Sequence, residues 1–381
     1  MGTDISEPWA LEIPTSIHFG RGCRRGVLPL VAGKKILVVA SSRGKQQFLD
    51  DDYFGSVAAE LHWITDVKEN PTIQDVRKGM ANLPIGTFDA IVAFGGGSAI
   101  DFGKAMALLI SKDAKDLDIA RFLEEPGLMA DVKPVTLIAI PTTSGTGAEV
   151  TPFATIWDSE KQIKMSLAGP SLAPAYAFVD PELTDTLPQE PTFSAGLDAM
   201  NQAFESVWNK KSTRITRHWA AAAIQNCLIA LPKLAEDLAD QEARDLMAEA
   251  ALLAGLCISQ TRTSICHAMS YPLTARFGVS HGYAVAFSMV EVMRTCIEQR
   301  PQVFNEILAQ ADLDDLAALR DKTKEVVGLL GALPAVKARV DSVEQMVEFQ
   351  SEMISSTRAD NFVLPMDLTL IEKILRSSWN S

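Results

Sequence analysis

The chain has 381 residues, of which 47% are hydrophobic and 22% are charged. These proportions are typical of a folded globular protein, and they exclude a disordered chain, a collagen-like chain and a small disulfide-stapled domain. The length favours two domains over a single core. A formal net charge of -13 opposes nucleic acid and anionic membrane as partners.

Features that report on compartment indicate a cytoplasmic protein. The first twenty residues lack the basic and apolar segments of a signal peptide, and no apolar run reaches the ~18 residues of a membrane span. Five cysteines are dispersed along the chain without a Cys-x-x-Cys pair, which is typical of reduced thiols. We therefore expect a cytoplasmic protein without a membrane-spanning segment.

The two halves of the chain differ in their hydrophobic pattern. The first half contains short apolar runs that end in turn residues, at 34–42, 88–97, 134–143 and 175–181. Such runs suit strands buried on both faces, as in a parallel sheet covered by helices. After about residue 189 they give way to segments rich in Ala, Leu and Glu. We predict an α/β domain over residues 1–188 and an all-α domain over residues 189–381.

If the predicted sheet binds a nicotinamide dinucleotide, the residues at the end of its first strand bear on the choice between NADH and NADPH. An acidic residue at that place bonds the ribose hydroxyls of NADH and repels the 2′-phosphate of NADPH. Here the strand ends in Ser41-Ser42-Arg43, whose hydroxyls and guanidinium suit a phosphate. We predict NADPH in preference to NADH, with an ordinary polar turn as the alternative interpretation.

Two loops at the ends of later strands indicate a phosphate-binding edge. Gly95-Gly96-Gly97-Ser98 follows one strand and begins a helix, where backbone N–H groups and the positive end of the helix dipole can approach an anion. Glycine-rich turns also occur for steric reasons alone, but a second loop, Pro141 to Gly147, carries four hydroxyls after the next strand. Ligands of open α/β sheets bind at the carboxyl edge of the strands, so the two loops together predict a dinucleotide.

Four side chains in the second half form a candidate metal site. Asp198 and Gln202 are four residues apart, on one face of a predicted helix, and His267 and His281 are 14 residues apart. Carboxylate, amide and imidazole together suit a divalent first-row metal. The alternative is that each histidine is an ordinary core residue.

Five motifs resemble those of the iron-dependent (group III) alcohol dehydrogenases, in order and separation: FGGGSAID, PTTSGTGAEVT, FVDPEL, GLDAMNQAFES and HAMSYPLTARFGVSHG. The likeness runs from about residue 14 to the C-terminus. It implies a Rossmann-like N-terminal domain, a helical C-terminal domain and a cleft that holds cofactor and metal between them. It implies metal ligands at Asp198, Gln202, His267 and His281. It implies cofactor contacts at Gly96, Gly97, Ser98, Asp101, Thr142, Thr143, Ser144, Thr146 and Lys164, to which the strand-end argument adds Ser41.

The chain departs from the common family pattern at two positions. Gln202 stands where a histidine ligand is usual, which leaves Fe2+ and Zn2+ both open. Tyr271 stands where a second histidine is usual, so the proton donor is Tyr271, a bound water or a ribose hydroxyl. Both departures resemble the branch of the family that reduces phosphonoacetaldehyde to 2-hydroxyethylphosphonate.

An anionic substrate in a protein of this charge requires a nearby cation. Arg262, among the hydroxyls of Thr261, Thr263 and Ser264, is the predicted headgroup residue, and Arg276 is the fallback. A surface or paired arginine is the alternative. Other functions left open are a general short-chain alcohol or diol dehydrogenase, a sulfoacetaldehyde reductase, a lyase resembling dehydroquinate synthase and a non-catalytic metal-binding protein. We expect a homodimer.

Overall fold

The computed structural model describes residues 8–50, 57–65, 67–81, 83–114, 117–161, 163–311, 313–354 and 358–381. The start of the chain, on which the expectation about a signal peptide depends, lies partly outside these ranges. Within them, no helix is both long enough and apolar enough to cross a bilayer.

A six-stranded parallel sheet forms the first half of the molecule. Its spatial order is β1-β8-β5-β4-β2-β3. The strands are β1 (Ser16–Phe19), β2 (Lys35–Ala40), β3 (Glu60–Ile64), β4 (Ala90–Gly95), β5 (Thr136–Pro141) and β8 (Tyr176–Val179). Each of the four apolar runs contains one of these strands, so the prediction of a buried parallel sheet is confirmed. The sequence analysis did not predict β1 and β3, which lie at the two edges.

The central strands are apolar because both of their faces are covered. Along β2, Leu37 and Val39 join one hydrophobic cluster, and Ile36 and Val38 join another on the opposite face. Alternate residues of a strand point to opposite faces, so an uninterrupted apolar run fills both layers. The helices of this half are α1 (Leu28–Val31), α2 (Ser42–Asp50), α3 (Ile73–Met80), α4 (Gly97–Leu109) and α5 (Ile119–Glu124).

A separate antiparallel hairpin follows β5, and the sequence analysis did not predict it. It pairs β6 (Phe153–Asp158) with β7 (Ile163–Ala168). Ala154 and Ile156 of β6 are buried against the sheet core, and Phe153, Thr155 and Trp157 face the other way. This alternation gives the hairpin one apolar face in the core and one mixed face, on which aromatic and polar side chains lie together.

The second half of the described chain is built from helices, as predicted. They are α6 (Gln189–Val207), α7 (Arg214–Glu236), α8 (Gln241–Thr261), α9 (Ile265–Phe277), α10 (His281–Gln299), α11 (Asn305–Ala311), α12 (Leu316–Leu329), α13 (Ala332–Lys337), α14 (Val343–Val347), α15 (Gln350–Ile354) and α16 (Leu368–Trp379). One large hydrophobic cluster joins them. The fold class is therefore confirmed, while the domain boundary between residues 188 and 189 stays a prediction.

Candidate active site

The two predicted phosphate loops are neighbours. Strands β4 and β5 pair directly, and the backbone N–H of Thr142 donates to the carbonyl oxygen of Gly95 at 3.0 Å. The loops pack so closely that a Cβ atom on Gly97 would lie 2.5 Å from Oγ1 of Thr146. Only glycine leaves this space open, beside the first turn of α4.

A cleft of about 800 Å³, counting its open mouth, runs from these loops to the helical half. Five of the predicted cofactor residues line it: Gly97, Ser98, Asp101, Thr146 and Lys164. Gly96, Thr142 and Thr143 belong to the two loops without lining this cleft. Ser144 lines a smaller cavity beside Arg244. Ser41 lies at the end of β2, where its hydroxyl accepts from the backbone N–H of Gly44 at 3.1 Å.

The structure brings the four predicted metal ligands to the same cleft. Helix α6 carries Asp198 and Gln202 one turn apart, while His267 lies in the first turn of α9 and His281 begins α10. Ligand atoms of Asp198, His267 and His281 lie within 4.8 Å of one another. Nε2 of His267 is 3.3 Å from Oδ1 of Asp198, and Nε2 of His281 is 4.0 Å from the same oxygen.

These residues fit a divalent cation. Oδ1 of Asp198 and Oε1 of Gln202 are buried and have no hydrogen-bond partner among the described residues. A buried oxygen without a partner is costly, and an ion between the carboxylate, the amide and the two imidazoles would satisfy both oxygens.

Glu205 orients His267, and sequence reasoning missed it. Its carboxylate accepts from Nδ1 of His267 at 2.8 Å and from the backbone N–H groups of Ser264 at 2.6 Å and His267 at 3.0 Å. The ring is thereby held with Nε2 towards Asp198; at metal sites, a carboxylate that bonds the other ring nitrogen commonly orients a histidine ligand in this way. The positions 198, 202 and 205 share one helix face, so the spacing was a usable signal.

Burial and neighbouring charges shift several pKa values in the cleft. Burial lowers the pKa of His281 to about 3, with a further contribution from the Lys164 ammonium. Burial also lowers the pKa of Lys164 to about 7, and the charge of Arg358 acts in the same direction. Burial opposes ionisation of Asp198, but the neighbouring imidazoles of His267 and His281 bring its pKa below the usual value.

Tyr271 lies beside two cations at the helical end of the cleft. Nζ of Lys164 is 4.6 Å from the centre of its ring, and the guanidinium carbon of Arg358 is 5.1 Å from it. Burial raises the pKa of Tyr271 to about 12. The phenol therefore keeps its proton at neutral pH, and its buried oxygen has no hydrogen-bond partner among the described residues.

The two arginines predicted for the headgroup have other contacts. Arg262 ends α8, and its guanidinium carbon lies 4.4 Å from the ring centre of Phe153; Phe153 lines the cleft and Arg262 does not. Arg276 bonds Glu352 at 2.6 Å, so the structure does not support it as the fallback. The arginine that lines the cleft is Arg358, which the sequence analysis did not single out because no motif surrounds it.

A parallel sheet whose glycine- and hydroxyl-rich loops face a buried carboxylate–histidine cluster defines the class of protein, a nicotinamide-dependent oxidoreductase. More narrowly, the chain belongs to the iron-containing alcohol dehydrogenase family. Residues 14–181 match the family model of that description, and residues 192–358 match its C-terminal model. The prediction of an NAD(P)-dependent alcohol dehydrogenase or aldehyde reductase is thereby confirmed.

Three relatives illustrate the range of this family. Phosphonoacetaldehyde reductase of Streptomyces viridochromogenes is 38% identical over 231 residues, which are 60% of this chain and 58% of that protein. NADPH-dependent butanol dehydrogenase of Clostridium saccharobutylicum is 32% identical over 77% of each chain. The crystal structure of sulfoacetaldehyde reductase from Bifidobacterium kashiwanohense, in complex with NAD+, superposes with a TM-score of 0.86 at 25% identity, covering 99% of this chain and all of that one. The alignment with the phosphonoacetaldehyde reductase therefore spans little more than half of that protein.

Proposed function

We propose that this chain reduces phosphonoacetaldehyde to 2-hydroxyethylphosphonate. In this proposal NADPH is the hydride donor, and the reaction also requires a bound divalent metal ion. The observation that carries the proposal is the charge of the cleft. Its described lining contains two carboxylates, Asp101 and Asp198, and two cations, Lys164 and Arg358. With Lys164 protonated, which its pKa of about 7 permits at and below neutral pH, formal counting with a divalent ion leaves two positive charges, and this suits a dianionic substrate.

Asp198, Gln202, His267 and His281 are the proposed ligands of one ion, with Fe2+ ahead of Zn2+. The family and the unpartnered oxygens of Asp198 and Gln202 support this assignment. When bound, such an ion supplies Lewis-acid polarisation of a carbonyl group, while NADPH supplies the hydride. Glu205 keeps the His267 ring in its orientation through Nδ1.

The cofactor lies, in this proposal, along the carboxyl edge of the sheet. Its proposed contacts are the residues predicted from the sequence: Gly96, Gly97, Ser98, Asp101, Thr142, Thr143, Ser144, Thr146 and Lys164. At the end of β2, the hydroxyl oxygen of Ser41 accepts a hydrogen bond from the backbone N–H of Gly44, and its O–H remains available as a donor. Arg43 is held nearby by a bond from Nη2 to the carbonyl oxygen of Thr186 at 2.9 Å. These donors favour the 2′-phosphate of NADPH.

Tyr271 contacts the substrate as a neutral hydrogen-bond donor in this proposal. A phenol whose pKa is about 12 releases its proton reluctantly near pH 7. The alcohol proton then comes from a bound water or a ribose hydroxyl, the other two sources that the sequence left open.

Two alternatives keep specific support. A sulfoacetaldehyde reductase is a structural neighbour, and a butanol dehydrogenase is a relative. The lyase and the non-catalytic protein have no support in the family assignment. We place the enzyme in the cytoplasm and expect a homodimer.

The test is a substrate panel with the purified, iron-loaded protein. We expect the highest kcat/KM for phosphonoacetaldehyde, a lower value for sulfoacetaldehyde and the lowest for propanal, with NADPH preferred to NADH for each. A kcat/KM for propanal that equals or exceeds that for phosphonoacetaldehyde contradicts the substrate proposal. His281→Ala is expected to lose metal and turnover while keeping affinity for NADPH; retention of metal and activity would contradict the metal site.

A further inference from the structure

Arg358 is partly buried and, unlike the buried Arg24 and Arg217, has no carboxylate partner among the described residues. The buried Arg244 also lacks one, but its guanidinium donates to three neutral oxygens, those of Leu238, Thr192 and Leu187. Arg24 bonds Asp180 at 2.6 Å, and Arg217 bonds Glu306 at 3.1 Å. Arg358 forms no ion pair with a described carboxylate, and its Nη2 donates to the neutral hydroxyl of Ser166 at 3.0 Å. A guanidinium that lines a cleft and has no carboxylate partner is well suited to bind an anion there.

Ser166 places that guanidinium on the mixed face of the hairpin, which is the face directed away from the sheet core. Ser166 and Lys164 are two residues apart on β7 and therefore point to the same side. Their cross-strand partners, Thr155 and Trp157, line the cleft with Lys164. The hairpin thus presents its mixed face to the cleft, and Arg358, close to the C-terminus, contacts that face through Ser166.

Tyr271 supplies a second donor at this place. Its ring lies against both Arg358 and Lys164, and its hydroxyl is buried without a partner among the described residues. The neighbouring Oγ1 of Thr274, which also belongs to the lining, lacks a partner as well. Unpartnered donors beside an uncompensated guanidinium match the several oxygens of a tetrahedral oxyanion.

The spacing from the proposed metal ligands suits a two-carbon aldehyde. Tyr271 follows His267 by four residues on α9, so the two side chains are separated by about one helical turn, roughly 5.4 Å along the axis. Phosphonoacetaldehyde has two carbons between its carbonyl oxygen and its phosphorus. A substrate of this length reaches from the His267 side of the cleft to Tyr271.

We propose that Arg358 and Tyr271 form the subsite that selects the anionic headgroup of the substrate, Arg358 by charge-assisted hydrogen bonds and Tyr271 through its hydroxyl. This inference rests on the proposed function and assigns to Arg358 the role that sequence reasoning gave to Arg262. The guanidinium of Arg262 lies over the ring of Phe153, and Arg262 is not among the residues that line the cleft.

The experiment compares Arg358→Met, Arg358→Lys and Tyr271→Phe with the wild type on phosphonoacetaldehyde and propanal. Arg358→Met is expected to raise KM for phosphonoacetaldehyde by about 30-fold or more, with a smaller change in kcat and little change for propanal. Arg358→Lys is expected to recover part of the loss, because charge remains while the planar fork is lost. Tyr271→Phe is expected to raise the same KM by about 5- to 10-fold.

Two controls separate recognition from folding. Arg320→Met removes an exposed arginine that pairs with Asp321, so it matches the change in charge and is expected to leave both substrates unaffected. Arg262→Met tests the sequence-based assignment. If Arg262→Met causes the selective loss and Arg358→Met does not, the inference is overturned.

Direct binding of phosphonoacetate, an unreactive dianion, distinguishes failure of the subsite from failure of the proposed function. Calorimetry with the wild type and Arg358→Met is expected to show a comparable 30-fold loss of affinity. If the wild type has no preference for anionic aldehydes, the substrate proposal fails, and phosphonoacetate binding still decides the subsite. If the wild type prefers them and Arg358→Met binds phosphonoacetate equally well, the subsite alone is wrong.

Discussion

At the scale of single residues, Glu205 shows how one buried carboxylate fixes the direction of a histidine. It accepts three hydrogen bonds, one from the His267 ring and two from backbone N–H groups at the start of α9. Its negative charge also lies at the N-terminus of that helix, which is a favourable position. The same carboxylate therefore stabilises the helix and presents Nε2 of His267 to the cleft.

Glu205→Gln is predicted to weaken metal binding without unfolding the protein. An amide keeps the shape of the side chain but offers one acceptor oxygen in place of two. Part of the hydrogen bonding that orients His267 is therefore lost. We expect the affinity for Fe2+ or Zn2+ to fall by about 10- to 100-fold, measured by competition with a chelator. Glu249→Gln, an exposed change on α8, is the control. An unchanged metal affinity in Glu205→Gln would show that the carboxylate has only a structural role.

At the scale of elements, buried Lys104 ties α4 to the hairpin. Its ammonium donates to the carbonyl oxygens of Thr151 at 2.9 Å and Phe153 at 2.7 Å, at the start of β6. Asp101 lies 3.7 Å away, and it accepts from the backbone N–H of Thr155 at 2.8 Å. One residue pair on α4 thus sets the position of the hairpin that carries Lys164.

Glu149, between the second phosphate loop and the hairpin, is predicted to make stability depend on pH. Burial raises its pKa from 4.5 to about 7, against the opposing charge of Lys104. Since the folded state holds this proton more tightly than the unfolded state does, the contribution to stability is complete below pH 4.5 and is lost as the pH rises through 7. Glu149→Gln removes this loss.

The measurement is the difference in unfolding free energy between Glu149→Gln and the wild type at pH 5 and at pH 8. We expect it to shift in favour of the variant by about 2–3 kcal/mol across that range. The exposed Glu325→Gln is expected to show no such trend. A difference that is constant with pH would mean that Glu149 is ionised in the folded protein at pH 5.

At the scale of the whole molecule, the two halves meet backbone to backbone. Gly147 of the second phosphate loop adopts a φ of 61°, and Gly255 lies on the facing side of α8. A Cβ atom on Gly255 would lie 2.7 Å from Cα of Gly147. Around this contact, Val150, Ala177 and Val179 pack against Ala248, Leu252 and Leu256. The position of the loop therefore depends on the helical half.

Gly255→Ala is predicted to destabilise the protein and to weaken NADPH binding. Neither backbone can move freely away from the new methyl group, so we expect a loss of about 1–3 kcal/mol in thermal unfolding and a raised Kd for NADPH. Gly328→Ala provides the matched control, because this glycine is also within a helix but has open space at its Cβ position. It is expected to gain about 0.5–1 kcal/mol. Equal behaviour of the two variants would contradict the importance of the contact.

The sequence alone determined the class of fold and most of the cleft's chemistry, because these depend on local patterns. Continuous apolar runs predicted the buried strands, and the two loops that follow β4 and β5 bring Gly97, Ser98 and Thr146 to the cleft. The four-residue step from Asp198 to Gln202 placed both oxygens on one helix face. Glu205 lies three residues further, on the same helix face, so the argument from helical spacing could have included it.

Only the tertiary structure decided which arginine lines the cleft beside Tyr271. Arg358 is 87 residues beyond Tyr271 and 192 beyond its partner Ser166, so no local spacing connects them. Arg262 stands next to hydroxyls in sequence, but it ends a helix and stacks on Phe153. The hairpin was not predicted for a related reason. One face of its strands is buried because it packs against α4 and the sheet. Contacts between distant segments depend on how elements pack, and a pattern read along the chain does not contain that information.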